Sequence, residues 1–201
     1  PDTFLMDPGK IEEKITDRTK AIIPTHMHGS SQDMDAIIKI AKKYNLYIIE
    51  DCAQSFLATY NGELTGTIGD MASFSFETKK HMTTGQGGIV ITDDDDLATK
   101  IRKHAGLGYV TLTANQGMTS LMPHQFQNPN FKRHDSLAYN YRLPEICAVL
   151  GLAQLERLEE KVEKRKQIAE MYNDCLKDVN WIIPQKVDKH ITNVYWTYTV
   201  K

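Results

Sequence analysis

At 201 residues, 41% of them hydrophobic, the chain suits one to two domains with a sizeable core, and a formal net charge of -2 gives no footing for nucleic-acid binding. No opening stretch has the form of a signal peptide and no apolar run reaches membrane-spanning length, so a soluble, cytoplasmic protein without a membrane partner is expected. Cys52, Cys147 and Cys175, odd in number and widely spaced, fit reduced thiols better than a disulfide framework.

Asp7-Pro8 followed by Lys10 to Ile15 predicts a short, capped amphipathic helix. Ala21 to Thr25 predicts a buried strand. Gln32 to Tyr44 carries Met34, Ile37, Ile38 and Ala41 at helical spacing, a helix that covers the sheet, and Leu46 to Ile49 is the next strand. Strand, helix, strand in this rhythm argues for a parallel α/β sheet with ligands at the carboxyl ends of its strands. His26 and His28 form a His-x-His that suits zinc, but no Cys or Asp stands at ligand spacing, so no metal is expected and the segment reads as a site-lining loop.

The second strand runs into Glu50-Asp51-Cys52-Ala53-Gln54. A carboxylate at the carboxyl end of a buried strand needs a cationic partner, and Asp51 is the candidate. Asn61 to Gly69, with three glycines, predicts a hairpin or turn cluster. Ser73 to Phe76 is a strand that delivers Lys79 and Lys80 to a polar turn, followed by Thr83, Thr84, Gly85, Gly87 and Gly88 before the strand Ile89 to Thr92. An amine held there has a defined address, and partial withdrawal from water favours its nucleophilic form. Taken alone, the Lys-Lys pair reads as a solvated turn. Asp93 to Asp96 fit the first turn of a helix over Leu97 to His104 better than a metal site. From Gly106 to Ser136 no period survives, and a loop this long is read as substrate-covering or subunit-crossing. Pro144 and Glu145 open a helix with Ile146, Val149, Leu150, Leu152, Leu155 and Leu158 on a broad apolar face, continuing as one long element past Ile168. Trp181 to Pro184 and Val194 to Val200 are expected as strands.

Three stretches, AIIPTHMHGSSQDMDAIIKIAKKYNLYIIEDCAQS, GTIGDMASFSFETKKHMTTGQGGIVIT and YNYRLPEICAVLGLAQLERLEE, resemble in that order the DegT/DnrJ/StrS family of nucleotide-sugar aminotransferases. The similarity runs from near Leu5 to about Glu160. It implies the type I fold of pyridoxal-phosphate-dependent transferases: α/β, with a mostly parallel sheet flanked by helices. Residues 1–160 would be the cofactor-binding large domain, and 161–201 the connecting helix and the start of a smaller C-terminal domain. Family members carry sequence on both sides of the matched region, so the chain is expected to be an internal piece of a longer protein.

Position by position, the resemblance makes Lys80, not Lys79, the lysine that forms a Schiff base with pyridoxal 5'-phosphate. It makes Asp51 the carboxylate that pairs with the pyridine nitrogen. Gln54 matches a side chain at the face of the ring near its phenolic oxygen, and Ser75 the serine that contacts the phosphate. Asn140 matches an asparagine that reaches the phosphate in a neighbouring subunit, which implies a homodimer with shared active sites. Read from the residues alone, Ser75 is also a candidate core serine bonded to a carbonyl, and Asn140 a turn residue before a helix. Gln86 stands where the family more often has glutamate. The implied activity moves an amino group from an amino-acid donor, such as glutamate, to a nucleotide-linked keto-sugar in cell-surface polysaccharide or secondary-metabolite biosynthesis. Two alternatives stand beside it. Sugar dehydratases of the same family replace the lysine by histidine, whereas here Lys80 is present and His81 lies one place off. A non-catalytic module that keeps the fold for binding is the other.

Overall fold

The structure, a computed structural model, describes residues 2–117 and 121–201. Part of the expected loop 106–136, namely 118–120, lies outside the described residues, as does residue 1. By its contacts the chain divides into two compact units, Pro1–Ile89 with Glu145–Lys201, and Val90–Pro144.

The first unit is built on a sheet of order β1-β2-β5-β6, with β1 Ala21–Ile22, β2 Tyr47–Asp51, β5 Met71–Ser75 and β6 starting at Gly88 and running to Ile91. β1 and β2 are parallel, Ala21 opposite Tyr47 and Ile22 opposite Ile48, and β2 and β5 are parallel with Asp51 opposite Ser73. The crossover from β1 to β2 is α1, Met34–Tyr44, which starts where Asp33 Oδ1 accepts from Ala36 N at 3.1 Å and ends at Asn45, φ 52°. Its inward residues Met34 and Ile37 are fully buried with Ile22, Ile40 and Ile48, each contributing roughly 2–3 kcal/mol of transfer free energy. The α/β fold with a mostly parallel sheet is the expected one.

A small antiparallel sheet, order β4-β3-β7, joins β3 Thr59–Tyr60, β4 Glu63–Leu64 and β7 Ile191–Thr192. Asn61 and Gly62, φ 52° and 85°, make the tight turn that the glycine cluster predicts. A second apolar cluster of Phe56, Ala58, Met82, Leu158, Val162 and Val194 draws α5, Leu158–Leu176, and the segment before residue 195 onto the sheet. Residues 161–201 thus lie in the same compact unit as 1–89.

Several elements differ from expectation for local reasons. The first helix is two short 3-10 turns, Pro8–Lys10 and Glu12–Lys14, because Gly9 sits in a segment too short to nucleate an α-helix. β1 stops at Ile22 because Pro24 has no N–H to continue the ladder, although its carbonyl still accepts from Asp51 N at 3.0 Å. The long helix is two, α4 Glu145–Leu155 and α5, broken at Arg157, φ -114° and ψ 8°. Val194 to Val200 is irregular, with Tyr195 at φ 48°. Only Pro184 and Val200 bridge there, flanked by Ile183 and Lys201 exchanging backbone bonds of 2.9 Å.

In the second unit, α2 is Asp95–Ala105, and Asp94 Oδ1 caps it by accepting from Leu97 N at 2.9 Å, the role expected of the aspartate run. The stretch after α2 holds one short helix, α3 Pro123–Gln127, and returns to the α2 carboxyl end, where Tyr139 N donates to His104 O at 2.9 Å and Tyr141 N to Ala105 O at 2.7 Å.

Candidate active site

Parallel pairing puts the carboxyl ends of β2 and β5 on one edge of the sheet, and the candidate residues of the first unit gather there. Asp51 is the last residue of β2. Its half-buried carboxylate accepts from Ala53 N through Oδ1 at 3.0 Å and from Thr25 Oγ1 through Oδ2 at 3.4 Å. Each oxygen keeps a lone pair for a further donor. The backbone on either side is fixed by the neighbouring strand end, since His26 N donates to Asp51 O at 3.0 Å.

Alternation along β2 sends Glu50 to the opposite face, where it is fully buried. Oε1 accepts from Ile68 N at 2.9 Å and Gly69 N at 2.7 Å, and Oε2 from His26 Nε2 at 2.9 Å and Gly66 N at 2.8 Å. Because His26 Nδ1 accepts from Gln32 N at 3.1 Å, the ring proton sits on Nε2. Burial by itself would raise the Glu50 carboxyl, but the bonds from His26, Gly66 and Gly69 together hold it below the ordinary carboxylate range. Cys52 Sγ lies within 4.8 Å of the His26 and Glu50 donors. The sequence reading found no thiol at ligand spacing from His26; the pairing of strand ends is what brings one in. With both His26 nitrogens and both Glu50 oxygens engaged, and with burial and then the Glu50 charge pushing the Cys52 thiol up to about 12, the trio works as a structural hub.

The lysine turn closes on itself. Phe76 N donates to Gly87 O at 2.8 Å, Thr84 N to Phe76 O at 3.0 Å and Lys80 N to Glu77 O at 3.1 Å. Ser75 Oγ accepts from Glu77 N at 3.3 Å, not the carbonyl-bonded core geometry, and a hydroxyl that accepts keeps its O–H to donate. Lys79 is exposed and its carbonyl accepts from Trp196 Nε1 at 3.1 Å. Lys80 is half-buried, its Nζ 4.6 Å from the centroid of the Trp196 ring. His81 is buried and donates Nε2–H to Val194 O at 3.1 Å, while its Nδ1 has no partner among the described residues. Burial pushes His81 down to about 4 against the pull of the Val194 carbonyl, so the ring is neutral near pH 7.

The segment 193–197 spans from this turn to the other strand end. Val194 N donates to Gly29 O at 2.9 Å, and Gly29 is required there: at φ 96°, a Cβ would stand 2.5 Å from Tyr195 N. Arg165 Nη1 donates to Trp196 O at 3.0 Å. Thr197 Oγ1 and His28 Nδ1 are 2.9 Å apart, and His28 N donates to Gln54 Oε1 at 2.7 Å. Lys80, Trp196, Thr197, His28 and Gln54 are therefore linked in sequence, with Asp51 three residues before Gln54. Asn140 belongs to the other unit, where it is exposed, bridges Gly106 and accepts from Arg142 Nε at 3.0 Å. The sequence assigned no role to Glu50 or Trp196, and weighed His81 only as a neighbour of Lys80. The Lys79–Trp196 bond joins residues 117 positions apart, a separation that no local spacing marks.

Residues 1–201 match the sequence model of the DegT/DnrJ/EryC1/StrS aminotransferase family. The chain belongs to that family. Among its relatives, the GDP-perosamine synthase of Caulobacter vibrioides is 40% identical over 202 residues, covering 100% of this chain and 50% of that protein. An aminotransferase from Psychrobacter cryohalolentis superimposes with a TM-score of 0.84 at 32% identity, over 97% of this chain and 50% of that one. The E. coli GDP-4-keto-6-deoxy-D-mannose-3-dehydratase, solved with bound hydrated PLP, gives a TM-score of 0.84 at 27% identity over 99% of this chain and 51% of that one. The chain thus spans about half the length of the DegT/DnrJ/EryC1/StrS proteins it matches. Among its described residues no helix is long and apolar enough to cross a membrane.

Proposed function

We propose that the protein containing this chain is a pyridoxal-phosphate-dependent aminotransferase that moves an amino group from an amino-acid donor, with glutamate expected, to a nucleotide-linked keto-sugar. The observation that supports it is that Asp51 and Ser75 end two adjacent parallel strands, with Gln54 and Lys80 in the segments that leave those ends. The donor set fits the cofactor: an amine on a closed turn, a carboxylate with lone pairs to spare, and a hydroxyl free to donate. When bound, pyridoxal phosphate supplies an aldehyde for an amine to condense with and a ring that accepts electrons. Lys80 Nζ would be the amine that condenses with that aldehyde and the group that carries the proton. Asp51 would hold the ring nitrogen protonated, Gln54 would contact the ring, and Ser75 Oγ–H would donate to the phosphate.

Asn140 would act on the phosphate in a second copy, so the reading includes a homodimer with shared sites, and 1–160 and 161–201 as the large domain and the opening of a small one. The GDP-sugar name of the Caulobacter relative favours a nucleotide-linked substrate and a place in polysaccharide or secondary-metabolite biosynthesis.

The likeness to the E. coli dehydratase gives a second reading, removal of a hydroxyl from the sugar without nitrogen transfer. Lys80 in the lysine position weighs against it, since His81 is turned to Val194 O. The test is to incubate the purified protein with pyridoxal phosphate, reduce with borohydride and map the label, then assay a GDP-linked keto-sugar with nitrogen-15 glutamate. A label on Lys80 and nitrogen-15 in the sugar are expected. A deoxy product without nitrogen-15 establishes the dehydratase, and a protein that takes up no cofactor overturns both.

A further inference from the structure

We infer that Trp196 is a positioning residue for the condensing amine, holding Lys80 to one of the two adjacent lysines' possible places. The inference rests on the reading of Lys80 as that amine. It begins from a difficulty the sequence poses: Lys79 and Lys80 are neighbours on a polar turn, and nothing in the turn's own backbone bonds decides which amine faces the strand ends.

Trp196 decides it with two parts of one side chain. Its indole N–H takes the Lys79 carbonyl at 3.1 Å, fixing the peptide between the two lysines. Its ring face lies 4.6 Å from Lys80 Nζ, within reach of a cation–π contact, while Lys79 stays exposed.

The segment that carries the indole is itself held at four points. Arg165 Nη1 donates to the Trp196 carbonyl at 3.0 Å. His28 Nδ1 meets Thr197 Oγ1 at 2.9 Å, and Asn193 Oδ1 accepts from Tyr195 N at 2.9 Å, supporting the positive φ of 48° one residue before the tryptophan. On the other flank, buried His81 donates to Val194 O at 3.1 Å, and Val194 is locked in the core. The residue after Lys80 and the residue two before Trp196 are thus tied to each other. A side chain that merely filled space needs neither the N–H bond nor this bracing.

The experiment uses the purified protein freed of cofactor, with acetic anhydride as the amine probe and peptide mass spectrometry as the readout. In the unmodified protein Lys80 is acetylated more slowly than Lys79. Trp196→Leu raises the Lys80-to-Lys79 ratio roughly three- to tenfold, the range a partly desolvated cation–π contact supports, whereas Trp196→Phe, which keeps an aromatic face, shifts it by less than about twofold. An unmoved ratio in Trp196→Leu overturns the inference.

Should Trp196→Leu fail to fold, the 201-residue chain carrying Trp181→Phe has Trp196 as its single tryptophan. Its emission then differs between Lys80 and Lys80→Met if the amine lies on the ring; identical spectra overturn the inference. Labelling with pyridoxal phosphate and borohydride separates this from the reading beneath it. Label confined to Lys80 in the unmodified protein and spreading to Lys79 in Trp196→Leu supports both. Label on Lys80 with neither spread nor a moved footprint overturns the role of Trp196 alone. Label on Lys79 from the start overturns the reading of Lys80 and this inference with it.

Discussion

Asp51 ends β2 and His81 follows the lysine pair, and their environments ask different things of them. Asp51 is half-buried with only two donors on its carboxylate, so it has capacity left for a charged partner. Asp51→Asn keeps the shape and removes the charge: transamination falls roughly 10²- to 10³-fold while borohydride still fixes label on Lys80, and full activity in this variant would remove Asp51 from the ring-nitrogen role. His81 is closed to a proton by burial. Its folded value of about 4 lies below the unfolded 6.5, so the unfolded chain takes up a proton first as pH falls. Stability is therefore lost from pH 6.5 down to about 4, by about 3 kcal/mol in total at about 1.4 kcal/mol per pH unit, and levels off below. Urea unfolding at pH 7 and pH 5 checks this, and in His81→Phe that part of the pH dependence disappears. The strand-end acid and the lysine pair after β5 could be placed from the sequence because both are local patterns, whereas the choice of Lys80 over Lys79 came from the family resemblance. Trp196 could not be placed, because its partners come from a turn more than a hundred residues away, and Val194 to Val200 read as strand when the positive φ at Tyr195 excludes it.

Among the elements, β2 is the one held most tightly, and from the face that does not carry Asp51. Glu50 takes four donors, three of them from the backbone of residues 66–69, so it fixes the turn cluster before β5 as well as the strand itself. Glu50→Gln puts an NH₂ where donors already point. We expect it to cost about 2–4 kcal/mol, seen as a lower urea midpoint with an unchanged slope. Because the folded carboxyl is held below its unfolded 4.5, this stabilisation is fully present above that pH and is lost as pH falls through the lower folded value. An unshifted midpoint in Glu50→Gln would show that residues 66–69 are held by other means. The period of α1 and the acid-rich start of α2 were readable, since caps and apolar spacing are local. Glu50 was passed over as one half of an acidic pair: alternation assigns it to the buried face, but only the fold shows which amides wait there.

At the scale of the whole chain, α4 is the element whose sequence and surroundings disagree. A helix apolar on all sides is normally enclosed. Here Gly151 is its buried residue, set so that a Cβ would stand 3.0 Å from Thr84 Cγ2 on the lysine turn. Its large apolar side chains face outward: Ile146 is 76% exposed, Leu152 65% and Val149 64%. Contiguous apolar surface of this kind drives self-association. The 201-residue chain alone is therefore expected to bind an apolar fluorescent dye and to scatter light as its concentration rises. Ile146→Lys with Leu152→Glu tests the assignment of that behaviour to α4, because both residues are good helix formers and neither touches the Gly151 side. Dye binding and scattering should fall together, with stability changed by no more than about 0.5 kcal/mol per site. If both persist in the double variant, the adhesive surface lies elsewhere. If the chain instead unfolds, α4 packs by its apolar face and that stripe belongs to the core.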